Sequence, residues 1–334
     1  MAPRARPRLV DVAELLSLAP STVSRALAGS EGVSTATRER VVAAARELGY
    51  TVNPAASGLK RGQTLNIGLI AVMNHWYAGA VTSGADRVAA ERGYDFVVVN
   101  SAGRRDESFL LERARRLGTR VDGALIVDVT PDGGLLERLI DAVAKPVVLM
   151  GCEAAGVSSV LVDNRAIGAS AGDHLRDLGH DAATVFALAN PTPWAYNNSS
   201  ARAAGFSAAM GPDRPVTTTY LPPEDRAARQ RAILDLTEDS TAVFCSSDAL
   251  AIETVALLRQ AGRDVPGRVS VIGVDDHPLA QPVGLTTVAQ APEAMGEIAT
   301  ARLLAEIVDG AGTHTTTVGT ELVVRQTTGP ADAG

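Results

Sequence analysis

The sequence is poor in cysteine and aromatic residues, and it has no long run of apolar residues. Only two of its 334 residues are cysteine, and 4% are aromatic. Cys152 and Cys245 lie far apart and match neither a disulfide framework nor a metal site, so we expect two small buried hydrophobic residues. No window reaches the roughly 18 consecutive apolar residues that a spanning helix needs. Residues 1–8 are basic and Pro-rich with no apolar segment behind them, which predicts a cytoplasmic protein with no membrane contact.

Several catalytic and nucleotide-binding motifs are also missing. The chain has no G-x-G-x-x-G and no phosphate-binding loop, so no cofactor is expected. Gly168, Ser170 and Gly172 match the G-x-S-x-G pattern of hydrolases, but the preceding strand, Val160 to Val162, ends too early and the motif falls inside a helix. We therefore predict no catalytic residues and no enzymatic activity. No histidine has metal-ligand spacing, and surface or supporting positions are expected for His75, His174, His180, His277 and His314.

Charge is unevenly divided along the chain. The composition, 46% hydrophobic and 21% charged with a net charge of -7, is typical of a globular protein of two or three domains. Residues 1–62 hold nine Arg or Lys and five Asp or Glu, a net charge of +4. Residues 63–334 hold 22 and 33, a net charge of -11. A small basic segment in front of a large acidic one fits either nucleic-acid binding by the first segment alone or a solvated basic tail, and a motif must decide between them.

The basic segment predicts three short helices. They run from about Val10 to Leu16, from Pro20 to Ala28, and from the N-cap Ser34 to a stop at Gly49. Apolar residues three to four apart give each helix a buried stripe, formed in order by Val12, Ala13 and Leu16; by Val23 and Leu27; and by Val41, Ala45 and Leu48. The outer face of the second helix carries hydroxyls for phosphates and a guanidinium for guanine edges, on Ser21, Thr22, Ser24 and Arg25. Such an arrangement is typical of a helix-turn-helix.

Beyond residue 64, short apolar runs alternate with helix-like stretches, which predicts parallel α/β sheets. The runs are Leu65 to Val72, Tyr94 to Val99, Gly123 to Val127, Val147 to Met150, Val185 to Ala189, Ala242 to Cys245 and Val269 to Val274. About 270 residues of this pattern favour two lobes, with a ligand cleft at the carboxyl ends of the strands. A last strand is predicted over Thr317 to Val324, and the tail from Gly329 to Gly334 is expected to be disordered.

The basic segment resembles the lactose-repressor (LacI/GalR) family of bacterial transcription regulators. Its motifs stand in the family's register: Asp11-Val12-Ala13, Thr22-Val23-Ser24-Arg25, Val33-Ser34, Thr37-Arg38 and Leu48-Gly49-Tyr50. Three positions depart from the family pattern, because Ser17 replaces a turn glycine, Ala19 replaces a capping serine and Ala28 stands where Asn is common. The change at Ala19 weakens the helix cap by about 1 kcal/mol.

The acidic segment also resembles the family, so the likeness covers nearly the whole chain. The motifs are Arg202 to Phe206, Thr241 to Ala251, Val269 to Asp276, and Leu285 to Val288 with Gln290. The resemblance implies a small all-α helix-turn-helix head followed by an α/β, two-lobe, periplasmic-binding-protein-like domain with parallel sheets. The implied domains are 1–52 for DNA binding, 53–63 for a hinge helix or linker, and 64–334 for effector binding and dimerisation.

The resemblance implies a homodimer that binds double-stranded operator DNA as a repressor. Arg25 and Ser21 would read bases from a recognition helix that begins at Pro20. Phosphates would be held by Arg8, Thr22, Ser24, Ser34 and Thr37. A hinge helix capped by Asn53 would insert Leu59 and Ala56 into the minor groove. The alternative for that segment is a flexible linker.

The family's effector contacts fall on Arg202, Ser247 and Asp275, with Asp128 as a further candidate at a strand end. Aromatic rings that could stack on a sugar are Trp76, Tyr77 and Trp194. The implied ligand is a small molecule of the sugar or sugar-like class. Two departures bear on its identity, since Ser247 replaces a usual Asn and Gly151-Cys152 stands where a carboxylate often lies. The alternative is an effector-binding protein or a hydrolase-like α/β enzyme with a degenerate DNA-binding head.

Overall fold

The computed structural model divides the chain into two compact units, Met1–Leu65 and Asn66–Gly334, called here the head and the body. The residues that it describes are 7–27, 30, 32–50, 63–73, 75–101, 106–129, 134–189, 198–223, 225–237 and 240–331. All statements below concern these residues.

The head contains three helices, α1 (Leu9–Leu16), α2 (Pro20–Leu27) and α3 (Thr35–Leu48). Side-chain caps explain where two of them begin. The backbone N–H of Arg8 donates to the Asp11 carboxylate over 2.6 Å, and Ser34 Oγ accepts the N–H of Thr37 at 3.2 Å. Gly49 ends α3 in the left-handed region, with φ of 67°. The predicted three-helix head is therefore confirmed.

Small apolar residues form the core of the head. Its buried residues are Val12, Ala13, Val23, Ala26, Val41, Ala44 and Ala45. Leu48 was predicted to point inward, and that prediction is wrong because the residue is 36% exposed. The chain turns at Gly49, and Tyr50 packs against this core at the end of α3.

The body has two lobes, each built on a six-stranded sheet. The first sheet has the order β11-β5-β4-β3-β1-β2. Its strands are β1 (Asn66–Ala71), β2 (Asp95–Asn100), β3 (Gly123–Val127), β4 (Val147–Met150), β5 (Ser158–Val162) and β11 (Thr315–Val318). All of its neighbouring strands are parallel. Its helices are α4 (Trp76–Glu91), α5 (Glu107–Gly118), α6 (Leu135–Val143) and α12 (Pro292–Asp309).

The second sheet has the order β12-β10-β9-β8-β6-β7. Its strands are β6 (Ala183–Leu188), β7 (Val216–Leu221), β8 (Ala242–Cys245), β9 (Ser270–Asp275), β10 (Thr286–Ala289) and β12 (Glu321–Val323). Only the pairing of β10 with β12 is antiparallel among these described strands. Its helices are α7 (Asn164–Asp177), α8 (Asn198–Met210), α9 (Arg226–Leu236), α10 (Asp248–Gln260) and α11 (Ala280–Val283).

The chain passes between the lobes three times, after β5, after β10 and between β11 and β12. The last passage corrects the prediction of one strand over Thr317 to Val324. Two strands lie there, separated by residues 319–320, and they pair with different sheets. An apolar and threonine-rich run cannot reveal such a break, because each half satisfies the strand pattern by itself.

Glycines allow α7 and α8 to pack closely. A Cβ on Gly168 would overlap the carbonyl oxygen of Arg202, and a Cβ on Gly205 would overlap that of Arg165. Gly168, Ser170 and Gly172 all lie within α7. The prediction that the G-x-S-x-G pattern falls inside a helix, where small residues serve packing, is therefore confirmed.

The C-terminal tail is ordered as far as Ala331, which corrects the expected disorder from Gly329 onward. Gly329 N–H donates to Ser270 Oγ at 3.0 Å, and Ala331 N–H donates to the carbonyl of Leu178 at 2.9 Å. His180 is buried rather than at the surface, and its ring contacts the Gly329 carbonyl at 3.2 Å. Backbone hydrogen bonds to the second lobe thus fix a segment whose composition predicts disorder. Residues 332–334 lie outside the described part.

Candidate functional site

The outer face of α2 presents the polar residues that the sequence predicts for DNA reading. Ser21 and Arg25 are exposed, and Thr22 and Ser24 are half-buried. Val23 and Ala26 occupy the opposite, buried face. Arg25 Nε donates to the Ser21 carbonyl at 3.3 Å, which holds the stem of the arginine along the helix surface. Hydroxyls and a guanidinium on one exposed helix face can hydrogen-bond phosphates and base edges.

The ends of the head helices carry the predicted phosphate contacts. Ser34 and Thr37 share a hydrogen bond of 2.8 Å between their hydroxyls at the start of α3. The Arg8 side chain is 77% exposed and lies 3.5 Å from the Asp11 carboxylate. Exposed ion pairs contribute little to stability, so Arg8 can exchange this partner for a phosphate. The predicted minor-groove residues Asn53, Ala56 and Leu59 lie outside the described residues.

The turn between α1 and α2 shows how two departures from the family motif are accommodated. Ser17 adopts the left-handed conformation, with φ of 53°, that a glycine would adopt at lower cost. Ala19 lacks a side-chain cap, but its carbonyl accepts the N–H groups of Thr22 and Val23 at 2.9 and 3.2 Å. Pro20 occupies the first position of α2, as predicted.

In the body, predicted effector residues from the two lobes lie close enough together to shift one another's pKa values. Tyr77 in α4 and Asp128 after β3 belong to the first lobe, and Arg202 in α8 and Asp275 at the end of β9 belong to the second. We call these four residues the cleft cluster. Asp128, Asp275 and Arg202 all affect the pKa of Tyr77, so the cluster spans the two lobes.

A chain of hydrogen bonds connects Arg202 to Asp128. Arg202 Nε donates to Asn164 Oδ1 at 2.8 Å, and Asn164 Nδ2 donates to Asn198 Oδ1 at 3.2 Å. Asn198 Nδ2 then reaches Asp128 Oδ1 at 3.5 Å. Arg202 is only 6% exposed, and its Nη1 also donates to the carbonyl of Ser246 at 2.7 Å. These two hydrogen bonds therefore hold the guanidinium in a fixed position.

Burial dominates the electrostatics of the cleft cluster. It raises the pKa of Asp128 to about 6 and that of Asp275 to about 7, while Arg202 acts in the opposite direction on both. The pKa of Tyr77 is raised mainly by burial, so its hydroxyl stays protonated. Gln290 Nε2 donates to Asp275 Oδ1 at 2.7 Å. The cluster thus combines two carboxyl groups that titrate near neutral pH with one permanent cation.

Both carboxyl residues have backbones that non-glycine residues rarely adopt. Asp128 has φ of 51° and Asp275 has φ of 129°. Such conformations cost free energy and are concentrated at ligand sites. A Cβ at Gly151 would overlap Asp128 Oδ1, so the glycine leaves room for this carboxylate. The Asp128 carboxylate, which follows the neighbouring strand β3, therefore lies beside Gly151.

The remaining predicted effector residues make other contacts. Ser247 Oγ accepts the N–H of Leu250 at 3.4 Å and caps α10, although the hydroxyl can still donate. The Trp76 ring contacts His277 with centroids 5.0 Å apart. Tyr77 Oη donates to Met295 Sδ at 3.2 Å. Trp194 lies outside the described residues.

Sequence reasoning missed three amides of this site, Asn164, Asn198 and Gln290. Asn164 and Asn198 are each the first residue of a helix, and Gln290 follows a strand. An amide at such a position is also a common capping residue, so no local signal separates the two roles. In the described part of the chain, no three acidic, histidine or cysteine side chains are grouped to bind a metal. No helix there is long and apolar enough to cross a membrane.

Comparisons with known proteins agree with this architecture. Residues 8–53 match the family model "Bacterial regulatory proteins, lacI family", and residues 172–328 match "Periplasmic binding protein-like domain". The HTH-type transcriptional regulator CelR of Thermobifida fusca is 33% identical over 97% of this chain and 98% of its own length.

Two solved structures are similar over nearly the whole chain. A transcriptional regulator CelR–cellobiose complex is 28% identical, with a TM-score of 0.68 over 96% of this chain and 100% of that one. A lac repressor dimer bound to operator and an anti-inducer shares the fold, with a TM-score of 0.83 at 23% identity over 97% of this chain and 100% of that one. On the identity to CelR along almost its full length, the chain belongs to the lacI family of bacterial regulatory proteins, whose members regulate transcription by binding DNA.

Proposed function

We propose that the chain is a transcriptional repressor that binds its operator as a homodimer and releases it when a small molecule occupies the cleft between the lobes. The observation that carries the effector part is the hydrogen-bonded path from Arg202 to Asp128. It joins polar side chains of both lobes, so a ligand that replaces one of these bonds changes the contact between the lobes. A ligand shifts the equilibrium between two arrangements of the lobes only if it binds one arrangement more tightly than the other.

The DNA-binding unit would comprise residues 1–52, with 53–63 as hinge and 64–334 as effector and dimerisation domain. Arg25 and Ser21 would contact bases from α2. Phosphate contacts would come from Arg8, Thr22, Ser24, Ser34 and Thr37, beside Pro20 at the start of α2. The hinge would supply Asn53 as cap and Ala56 and Leu59 as minor-groove contacts.

The effector would be a sugar or a related polyhydroxylated metabolite that the cleft binds without transforming it. Two carboxyl groups, a guanidinium and three amides offer donors and acceptors for several hydroxyls. Trp76, Tyr77 and Trp194 would provide aromatic surface for a sugar ring. The similar CelR is solved with cellobiose, which makes a disaccharide the first compound to test. Ser247, one atom shorter than the usual Asn, would enlarge the site.

Two measurements test the proposal. Footprinting on the region upstream of the protein's own gene should show a protected pseudo-palindrome, with random DNA as competitor. A thermal-shift screen of sugars, nucleosides and amino acids should find one class that stabilises the body, since ligand at 100 times its Kd adds about 2.7 kcal/mol. The ligand found must also weaken operator binding, and operator must weaken ligand binding by the same factor. A ligand that leaves operator affinity unchanged refutes the coupling.

A further inference from the structure

Trp76 and His277 form an aromatic contact between the two lobes, beside the cleft cluster. Trp76 is the first residue of α4 in the first lobe, and His277 lies two residues beyond Asp275 in the second. Their ring centroids are 5.0 Å apart and their planes are inclined by 59°. Tilted aromatic pairs at this distance attract each other. The contact therefore favours the arrangement in which the lobes meet.

The imidazole of His277 is held by its own lobe. Its Nδ1 accepts the N–H of Leu279 at 3.0 Å, and its backbone N–H donates to Asp248 Oδ2 at 2.8 Å. Asp248 is fully buried, and its other oxygen accepts the Thr287 hydroxyl at 2.7 Å. Because these bonds restrain the loop after β9, His277 provides a fixed surface for the indole.

The backbone of Trp76 is restrained by its neighbours, whereas its indole ring is held by His277. It begins α4, whose cap is the preceding His75, with Nδ1 accepting the Ala78 N–H at 3.4 Å. The following residue, Tyr77, is fixed by its hydrogen bond to Met295. The backbone on both sides of Trp76 is thus anchored, and the ring of His277 is the aromatic partner of the indole among the described residues.

We propose that His277 is a positioning residue of the cleft, which holds the Trp76 indole between the lobes as part of the cleft wall. The consequence for effector binding rests on the proposed function, whereas the position of the indole does not. Removing the imidazole should free the indole to move into solvent. Replacing the imidazole by another aromatic ring should keep the Trp76 indole in the cleft wall.

Two substitutions separate the ring of His277 from its hydrogen bond. His277→Asn keeps an oxygen that can accept the Leu279 N–H, as in an Asx-turn, but removes the ring. His277→Phe keeps a ring and removes the acceptor. Both are made in the full-length chain carrying Trp194→Phe, because the sequence has two tryptophans and Trp76 is then the sole tryptophan, which can be excited selectively over the tyrosines. His314→Asn, at an exposed histidine of the first lobe, is the matched control.

The readout is acrylamide quenching and the emission maximum of Trp76, without ligand or DNA. We expect His277→Asn to raise the quenching constant about twofold and to shift emission to the red, because the aromatic cover is lost. His277→Phe and His314→Asn should keep the parent values. Parent values in His277→Asn, or a rise in His277→Phe equal to that in His277→Asn, would overturn the proposal. Since neither operator nor effector is present, failure of the proposed function appears only in the footprint and thermal-shift assays.

Discussion

The two candidate binding surfaces of this chain are built on opposite principles. On α2 the polar side chains are exposed or half-buried, and the Arg25 side chain bonds to the backbone of its own helix. In the cleft, Arg202 and Asp275 already bond to other groups of the body. A duplex brings dense charge of its own, so its reader needs only a rigid helix and free side chains. A small neutral ligand needs groups that are held in place beforehand. Substitutions should therefore affect binding alone on α2 but both binding and stability in the cleft.

The largest effect is expected from Arg202→Ala. The change removes bonds to Asn164 and to the Ser246 carbonyl and leaves Asp128 and Asp275 without their cation. We expect the free energy of unfolding of the body to fall by about 3 kcal/mol, together with loss of the effector response. Chemical denaturation measures the first and operator titration with effector the second. Arg115→Ala, at an exposed arginine of α5, is the control, and equal losses in both variants would contradict the contrast.

Arg25→Ala should show the opposite behaviour, weakening DNA binding without affecting stability. Operator affinity should fall by about 1–3 kcal/mol, roughly 5- to 150-fold, because a guanidinium that contacts a base edge is lost. The unfolding midpoint should stay unchanged, since the residue is exposed. Fluorescence anisotropy with labelled operator measures the affinity at fixed salt. Arg40→Ala, at an exposed position of α3, serves as the control. An identical loss of affinity in that variant would mean that Arg25 contributes only through its charge and not through a base contact.

Ser34→Ala should lower both the stability of the head and its affinity for DNA, each by a smaller amount. Ser34 caps α3 through the Thr37 N–H and is also a proposed phosphate contact. Loss of the cap should destabilise the head by about 1 kcal/mol. Ala19→Ser, which adds a hydroxyl at the start of α2, should stabilise it by a similar amount. Thermal unfolding of the full chain, followed by a probe in the head, measures both. Shifts of the same sign would show that local caps do not control this unit.

The last prediction concerns pH. Burial raises the pKa of Asp275 to about 7 in the folded body, above the roughly 3.9 of an unfolded aspartate. Unfolding therefore releases a proton in this range, and the free energy of unfolding falls as the pH rises from about 4 to about 7. Asp275→Asn removes this contribution, so its unfolding midpoint should fall less across that range than the parent's. A larger fall in the variant would mean that the carboxylate is stabilised, not penalised, by its surroundings.

The sequence predicts local structure well and long-range contacts poorly. The bounds of β3, β4 and β8 agree with the apolar runs from which they were predicted, because a buried parallel strand is uniformly apolar. The predicted stop at Gly49 follows from its left-handed backbone. The path from Arg202 through Asn164 and Asn198 depends on which helices meet, and no spacing along the chain encodes that. Strand β7, which is largely exposed and rich in threonine, was missed for lack of an apolar signal.

The threading of the last strands has a consequence for biosynthesis. β11 and β12 lie beside β5 and β10 at the edges of different sheets, and both are made from residues 315–323. Neither lobe can complete its sheet on the ribosome until residues 315–323 have emerged. A prematurely released product would display two open strand edges at once, each able to pair with another molecule. Chains that terminate before residue 315 should therefore yield aggregates rather than a working single lobe.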